Sequence, residues 1–260
     1  MAFLKYISCL LLVFSSIFAE ECFLLIDGDS GKAVVELGSE LDEPMSPCST
    51  FKIPLSLMGY DAGVLIDEQR PIWEFQEGYD DFLDTWKSPQ SPQSWMQYSC
   101  VWYSKLISFQ LGLKKMQDYL SAFDYGNQDL SAGIVMPGEA DPAWLHSSPL
   151  KISPREQVNF IKNMLQNKLH VTEHAIANTR AILFKENLPQ GWKIFGKTGW
   201  SGSIGRYDDT IFEYAWFVGW IENSKQHFPF AYLIRDKKIK LDQRIPRVIQ
   251  LLNKSGILSE

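Results

Sequence analysis

The stretch Pro47-Cys-Ser49-Thr-Phe-Lys52-Ile-Pro54 sets a hydroxyl and an amine three residues apart. On a helix that spacing puts both side chains on one face, a single turn from each other. A serine is a poor nucleophile until a base takes its proton, and a neutral lysine can be that base. The apolar neighbours Phe51, Ile53 and Leu55 disfavour the ammonium form and would lower the Lys52 pKa. Pro54 is tolerated only near a helix start, so the helix begins close to Ser49 or bends, and Gly59 or Gly63 would end it. The same spacing also fits a Ser49 N-cap followed by a solvated lysine. It recurs in Ser148-Pro-Leu-Lys151, so the rest of the chain has to decide between the two.

The chain has 260 residues, 45% hydrophobic and 13% aromatic, which is enough for one large globular domain with a sizeable core. A formal charge of −6 and the absence of a lysine-arginine stripe argue against a nucleic-acid partner. Residues 1–19 read as a secretory signal peptide: a short basic start, an apolar run from Tyr6 to Phe18, and Ala19 before Glu20-Glu21. The run is short for a membrane span, so no span is expected once it is cleaved. Export would carry a single domain of residues 20–260 to the periplasm or the extracellular space, as a monomer or homodimer. Cleavage would leave Cys22, Cys48 and Cys100, an odd number, so at least one thiol stays free. A buried free cysteine is the expected state, with pairing of Cys48 and Cys100 left open.

Around the Ser49 stretch the pattern is strand, helices, strand. Cys22 to Asp27 and Ala33 to Glu36 read as strands about a Gly-Asp turn. Ser94 to Leu111, stopped by Gly112, and Lys114 to Phe123 have helical spacing. Ser153-Pro-Arg-Glu156 is a capping box that opens a helix to about Lys168, and Thr172 to Phe184 reads as another helix. Trp192 to Gly199, Glu213 to Glu222 and Phe228 to Arg235 read as strands, and Leu241 to Leu252 as a closing helix. Strands at both ends with helices between predict an α+β fold. Its central antiparallel sheet would be built from both chain ends, with an inserted helical lobe at roughly residues 60–165.

Two further motifs carry chemistry. Ser99-Cys-Val101 lies in an aromatic helical stretch, where a serine is ordinarily packed or bonded back to the helix. Lys197-Thr-Gly199 ends a strand, and alternation puts Lys197 and Gly199 on one face. There the lysine offers positive charge and the glycine permits close approach to the backbone. The histidines His170 and His174 fit a His-x-x-Glu-His pattern with Glu173. No companion motif accompanies it, so helix-cap or surface roles and no metal are expected.

Taken in order, these pieces resemble the class D β-lactamases of the serine β-lactamase and penicillin-binding protein superfamily. The matching stretches are Pro47 to Pro54, Ser99 to Tyr103, Tyr125-Gly-Asn127, Trp144-Leu145 ahead of Leu150 to Ser153, Lys197 to Gly202, and Trp216 to Trp220. The resemblance covers nearly all of the chain after residue 19. It implies hydrolysis of the β-lactam ring of penicillin-type antibiotics, and hence resistance, through an acyl-enzyme on Ser49. Lys52 would be an N-carboxylated lysine (N6-carboxylysine) acting as general base. No tightly bound cofactor is implied, only CO2 or bicarbonate for the lysine. The resemblance also assigns Trp144 to hold the modified lysine and Val101 to wall its pocket. Ser99, assisted by Lys197, would relay a proton to the leaving nitrogen. The Ser49 and Trp200 backbone N–H groups would form the oxyanion hole. Thr198, Gly199 and Trp200 would bind substrate, and Tyr125 to Asn127 would shape the rim.

Two departures stand out. The Trp144–Leu150 stretch is one residue longer than usual and includes Pro149. The position of the family's carboxylate-binding arginine aligns with Asp242, leaving Arg244 as its neighbouring substitute and Arg235 and Arg247 as competitors. The rival reading is a penicillin-binding sensor, or a D-alanyl-D-alanine peptidase-like protein, that acylates without efficient turnover.

Overall fold

The computed structural model describes residues 20–146, 148–202 and 212–259, so the predicted signal peptide lies outside the described residues. Six strands form one antiparallel sheet: β1 (Glu20–Ile26), β2 (Ala33–Leu37), β3 (Phe184–Asn187), β4 (Lys193–Trp200), β5 (Glu213–Glu222) and β6 (His227–Asp236), in the order β2-β1-β6-β5-β4-β3. The first strand pairs with the last, Leu24 opposite Ala231, so the sheet closes only when both ends of the chain are present. The helices are α1 (Lys52–Asp61), α2 (Pro92–Tyr98), α3 (Val101–Leu111), α4 (Leu113–Phe123), α5 (Pro154–Leu165), α6 (Glu173–Leu183) and α7 (Arg244–Lys254).

Strand alternation divides the core into two layers. Phe23 and Leu25 point to one face, where they join Phe217, Phe230 and the α7 residues Val248 and Leu252. Leu24 and Ile26 point to the other, with Trp216, Val218 and the helices α1 and α5. The high aromatic content goes into this interior. Trp95, Trp102, Trp216 and Trp220 are buried, and each indole N–H has an acceptor: Ser104 Oγ, the Trp86 carbonyl, the Ser46 carbonyl and a Glu222 carboxylate oxygen. Pairing the polar edge removes the desolvation cost of burying so large a ring, a cost that the buried Trp192, whose indole N–H has no partner among the described residues, still bears.

The predicted elements recur with three differences. The helix expected over 94–111 is two helices, because Ser99 takes the left-handed conformation at φ 60° and Cys100 is extended. The chain leaves α6 at Phe184 (ψ 135°) and pairs as β3 with β4, an edge strand too short to give a readable alternation. The expected single helix at Ser49 is a 3-10 turn, Cys48–Phe51, running into α1, with Pro54 in the first α-turn where its missing N–H costs nothing. The α5 capping box forms as predicted, Glu156 N–H donating to Ser153 Oγ and Ser153 N–H to Glu156. This helix packs on β1, β5 and β6.

Candidate active site

Ser49 lies in the 3-10 turn, and Lys52 is the first residue of α1. The turn is braced from within: Thr50 Oγ1 donates to the Pro47 carbonyl at 2.6 Å and accepts from Gln157 Nε2 of α5 at 3.0 Å. Ser49 opens onto a cleft of about 710 Å³ that Ser99, Val101, Thr198, Gly199, Trp200 and Arg244 also line. The sequence motifs, far apart along the chain, therefore converge on one cavity.

Behind the cleft wall sits Lys52, 1% exposed, its Nζ without a hydrogen-bond partner. Burial lowers its pKa to about 8, against the opposing pull of the Cys100 and Cys48 side chains. A buried amine is cheapest in its neutral form. Lys197 is also buried and donates to the Thr198 carbonyl at 3.0 Å. Desolvation, then repulsion from Lys52, Lys185 and Arg244, holds its pKa well below the ordinary lysine value. Gly199 serves a packing role as well: a Cβ there would lie 2.9 Å from the Pro47 carbonyl oxygen and 3.2 Å from Thr50 Cγ2. The glycine thus admits the Ser49 turn against β4.

Ser99 sits at the break between α2 and α3, which sets it on the cleft wall and lets Val101 begin α3 there. Trp144 stacks on Phe51 with ring centroids 4.7 Å apart, so the longer Trp144–Leu150 stretch still delivers the indole to the turn that carries Ser49 and Lys52. Tyr125 is fully buried, edge-on to Phe51 at 5.8 Å. Asn127 accepts from the Lys151 N–H and donates to the Pro149 carbonyl. This turn therefore lies behind the site and braces the 149–151 segment; it does not form the rim.

The three candidate arginines separate cleanly. Arg235 pairs with Glu20 and Glu40, and Arg247 with Glu21. Arg244 alone of the three lines the cleft, its Nη1 donating to the Gly199 carbonyl at 2.7 Å. Desolvation lowers its pKa to about 10, with Asp242 and Tyr232 pulling the other way. Asp242 itself is exposed and outside the lining.

The second Ser-x-x-Lys match is structural: Ser148 Oγ lies 3.2 Å from Ser46 Oγ, and neither Ser148 nor Lys151 lines the cleft. His174 bonds the Ile66 carbonyl, and among the described residues no three His, Cys, Asp or Glu side chains converge to hold a metal. Cys22, Cys48 and Cys100 are all free and buried. Sequence reading missed the outer rim, formed by Asp80, Asp81, Phe82, Leu83, Trp86, Asp141, Leu145 and His146. Its one legible sign was the aromatic Trp73–Trp86 stretch. Phe82 reaches to within 6.5 Å of Trp200, ring centre to ring centre.

A cleft-lining serine, a buried and unpartnered amine three residues on, a second serine and a Lys-Thr-Gly strand edge thus meet at one candidate site. The penicillin binding protein transpeptidase domain model matches residues 22–249. β-Lactamase OXA-1 of Escherichia coli is 36% identical over 209 residues, covering 80% of this chain and 73% of that protein. The crystal structure of the OXA-427 class D β-lactamase superposes with a TM-score of 0.77 at 38% identity, covering 90% of this chain and 99% of that one. The C-terminal domain of the Bacillus licheniformis BlaR penicillin receptor superposes with a TM-score of 0.79 at 26% identity, covering 92% and 91%. The chain belongs to the class D β-lactamase family, and with it to the hydrolases.

Proposed function

We propose that this protein hydrolyses penicillin-type β-lactams through an acyl-enzyme on Ser49 with N-carboxylated Lys52 as general base, and so confers resistance. The observation that carries this reading is the buried, unpartnered Lys52 amine beside a serine that faces the cleft. An amine with a pKa of about 8 is neutral in roughly one molecule in ten near pH 7, far more often than an ordinary lysine, and that form offers the free lone pair that carbon dioxide needs. Once carboxylated, the side chain would supply an anionic oxygen base. Val101 and Trp144 would wall and hold that group.

Ser49 gives up its proton to the Lys52 side chain and attacks the lactam carbonyl, and the ring C–N bond breaks. The developing oxyanion lies at the Ser49 and Trp200 backbone N–H groups, a fixed dipole pair that needs no reorganisation. Ser99, with Lys197 behind it, delivers the proton to the departing nitrogen. Water then cleaves the Ser49 ester, activated on the Lys52 side. Arg244, with Thr198 and Lys197, faces the substrate carboxylate, and Gly199 and Trp200 border it. Residues 1–19 would direct the protein through the inner membrane to the periplasm or outside the cell, where these substrates act.

The BlaR similarity supports a second reading, a sensor that acylates and stops. Steady hydrolysis of a chromogenic cephalosporin by residues 20–260, rising with added bicarbonate, is expected. A single stoichiometric burst would favour the sensor. Lys52→Ala should leave the Ser49 acyl-enzyme undischarged, as read by intact mass, and full turnover by that variant would take Lys52 out of its role.

A further inference from the structure

Lys105 is the buried cation that the proposed chemistry leaves unused. It lies on α3 one turn beyond Val101 and is 1% exposed. Its Nζ donates to Asp80 Oδ1 at 2.9 Å and to the Glu139 carbonyl at 3.2 Å. The other Asp80 oxygen accepts from the Gly138 N–H at 3.2 Å. Gly138 adopts φ +81°, and a Cβ there would fall 1.9 Å from the Gly78 carbonyl oxygen. Two loops thus meet backbone to backbone, and one ion pair ties both to the helix that begins at Val101. The first loop contributes Asp80, Asp81, Phe82 and Leu83 to the cleft, and the second leads to Asp141. No other cation bonds Asp80 among the described residues.

We infer that Lys105 is a positioning residue that sets substrate specificity: through Asp80 it fixes the Phe82–Leu83 rim against which the acyl side chain of the β-lactam lies. This rests on the reading of the cleft as a β-lactam pocket with the carboxylate at Arg244. The Lys105 end of this pair is buried and the Asp80 end half-buried, and both charges also bond the backbone of a third segment. The pair therefore ties three segments in one geometry, while a buried ion pair is weak evidence for added stability. Cutting it releases the rim but leaves Ser49, Lys52 and Arg244 on their own supports.

Steady-state kinetics with 6-aminopenicillanic acid, which lacks an acyl side chain, and benzylpenicillin, which has one, test the inference. Lys105→Met and Asp80→Asn should each raise KM for benzylpenicillin about tenfold more than for 6-aminopenicillanic acid, with kcat on the two falling alike. Lys105→Arg, which keeps the charge and the bonds, should restore the ratio. If both variants change KM equally for the two compounds, the ion pair does not set the rim and the inference is overturned. Asp80→Asn, at a residue 23% exposed, carries the test if Lys105→Met does not fold. Failure of the unmodified protein either to hydrolyse or to be acylated by both compounds would remove the pocket reading, and this inference with it.

Discussion

At the scale of single residues, the cleft is organised by charges that burial suppresses. Lys52 falls to a pKa of about 8 and Lys197 lies well below its ordinary value. Burial pushes the Cys48 and Cys100 thiols up to about 11 and about 12, so both stay protonated near neutrality. The Lys52 shift has a sign that can be worked out. Its folded pKa lies below the unfolded one, so the unfolded chain binds more protons between about pH 8 and 10.5, and stability rises with pH across that window. Below it the buried ammonium is a standing cost. Lys52→Met removes that cost and should stabilise the fold by about 1–3 kcal/mol near pH 7 in bicarbonate-free buffer. Urea unfolding checks it: the gain should shrink toward pH 10.5, and a variant less stable than the parent near pH 7 would contradict it. Turnover of the unmodified enzyme should decline below pH 8 for the same reason, since the protonated amine neither accepts a proton nor takes up carbon dioxide.

At the scale of elements, the close approach of β4 to the Ser49 turn fixes the distance between Ser49 and the strand edge. Gly199→Ala puts a Cβ 2.9 Å from the Pro47 carbonyl oxygen and 3.3 Å from the Thr50 nitrogen, backbone atoms that cannot swing away. The strand and the turn must part by a few tenths of an ångström. Misplacement on this scale costs roughly tenfold to a hundredfold in kcat/KM, while the strand pairing of β4 with β5 keeps the fold. Kinetics beside a thermal melt checks this, and unchanged kcat/KM would show that the turn yields freely. Most elements were legible: β5 and the α5 capping box were read to the residue because alternation and capping are local. The break at Ser99 was not. The helical spacing of apolar residues continues across it, and left-handed backbone is announced by glycine or asparagine far more than by serine. The break is closed by the Cys100 N–H bonding the Trp95 carbonyl and braced from elsewhere in the chain, where the Trp86 indole donates to the Tyr98 carbonyl.

At the scale of the whole molecule, the site joins distant parts of one chain, and this is where sequence reading stopped. The rim residues Asp80, Phe82, Asp141 and His146 lie in irregular segments with no period to read, and only the folded chain brings them together. Choosing among Arg235, Arg244 and Arg247 required knowing which were already engaged. Those engagements also tie the chain ends together. Glu21 of β1 accepts from Arg247 Nε of α7 at 2.7 Å and from the Tyr232 hydroxyl of β6 at 3.0 Å, a link spanning 226 residues. The Arg247 bond, foremost, holds the Glu21 carboxyl below its ordinary value of 4.5. A depressed carboxyl pKa contributes stability that is present above pH 4.5 and is lost as pH falls through the folded value. Because β1 lies between β2 and β6, its loss exposes a sheet edge and both core layers, so the effect should appear in global unfolding and not as local fraying. Glu21→Gln should therefore cost about 1–2 kcal/mol in urea unfolding near pH 7. The two proteins should converge at a pH low enough to protonate the parent's carboxyl as well. An equal deficit at both pH values would assign the loss to packing of the amide and not to the charge that binds the first strand to the last helix.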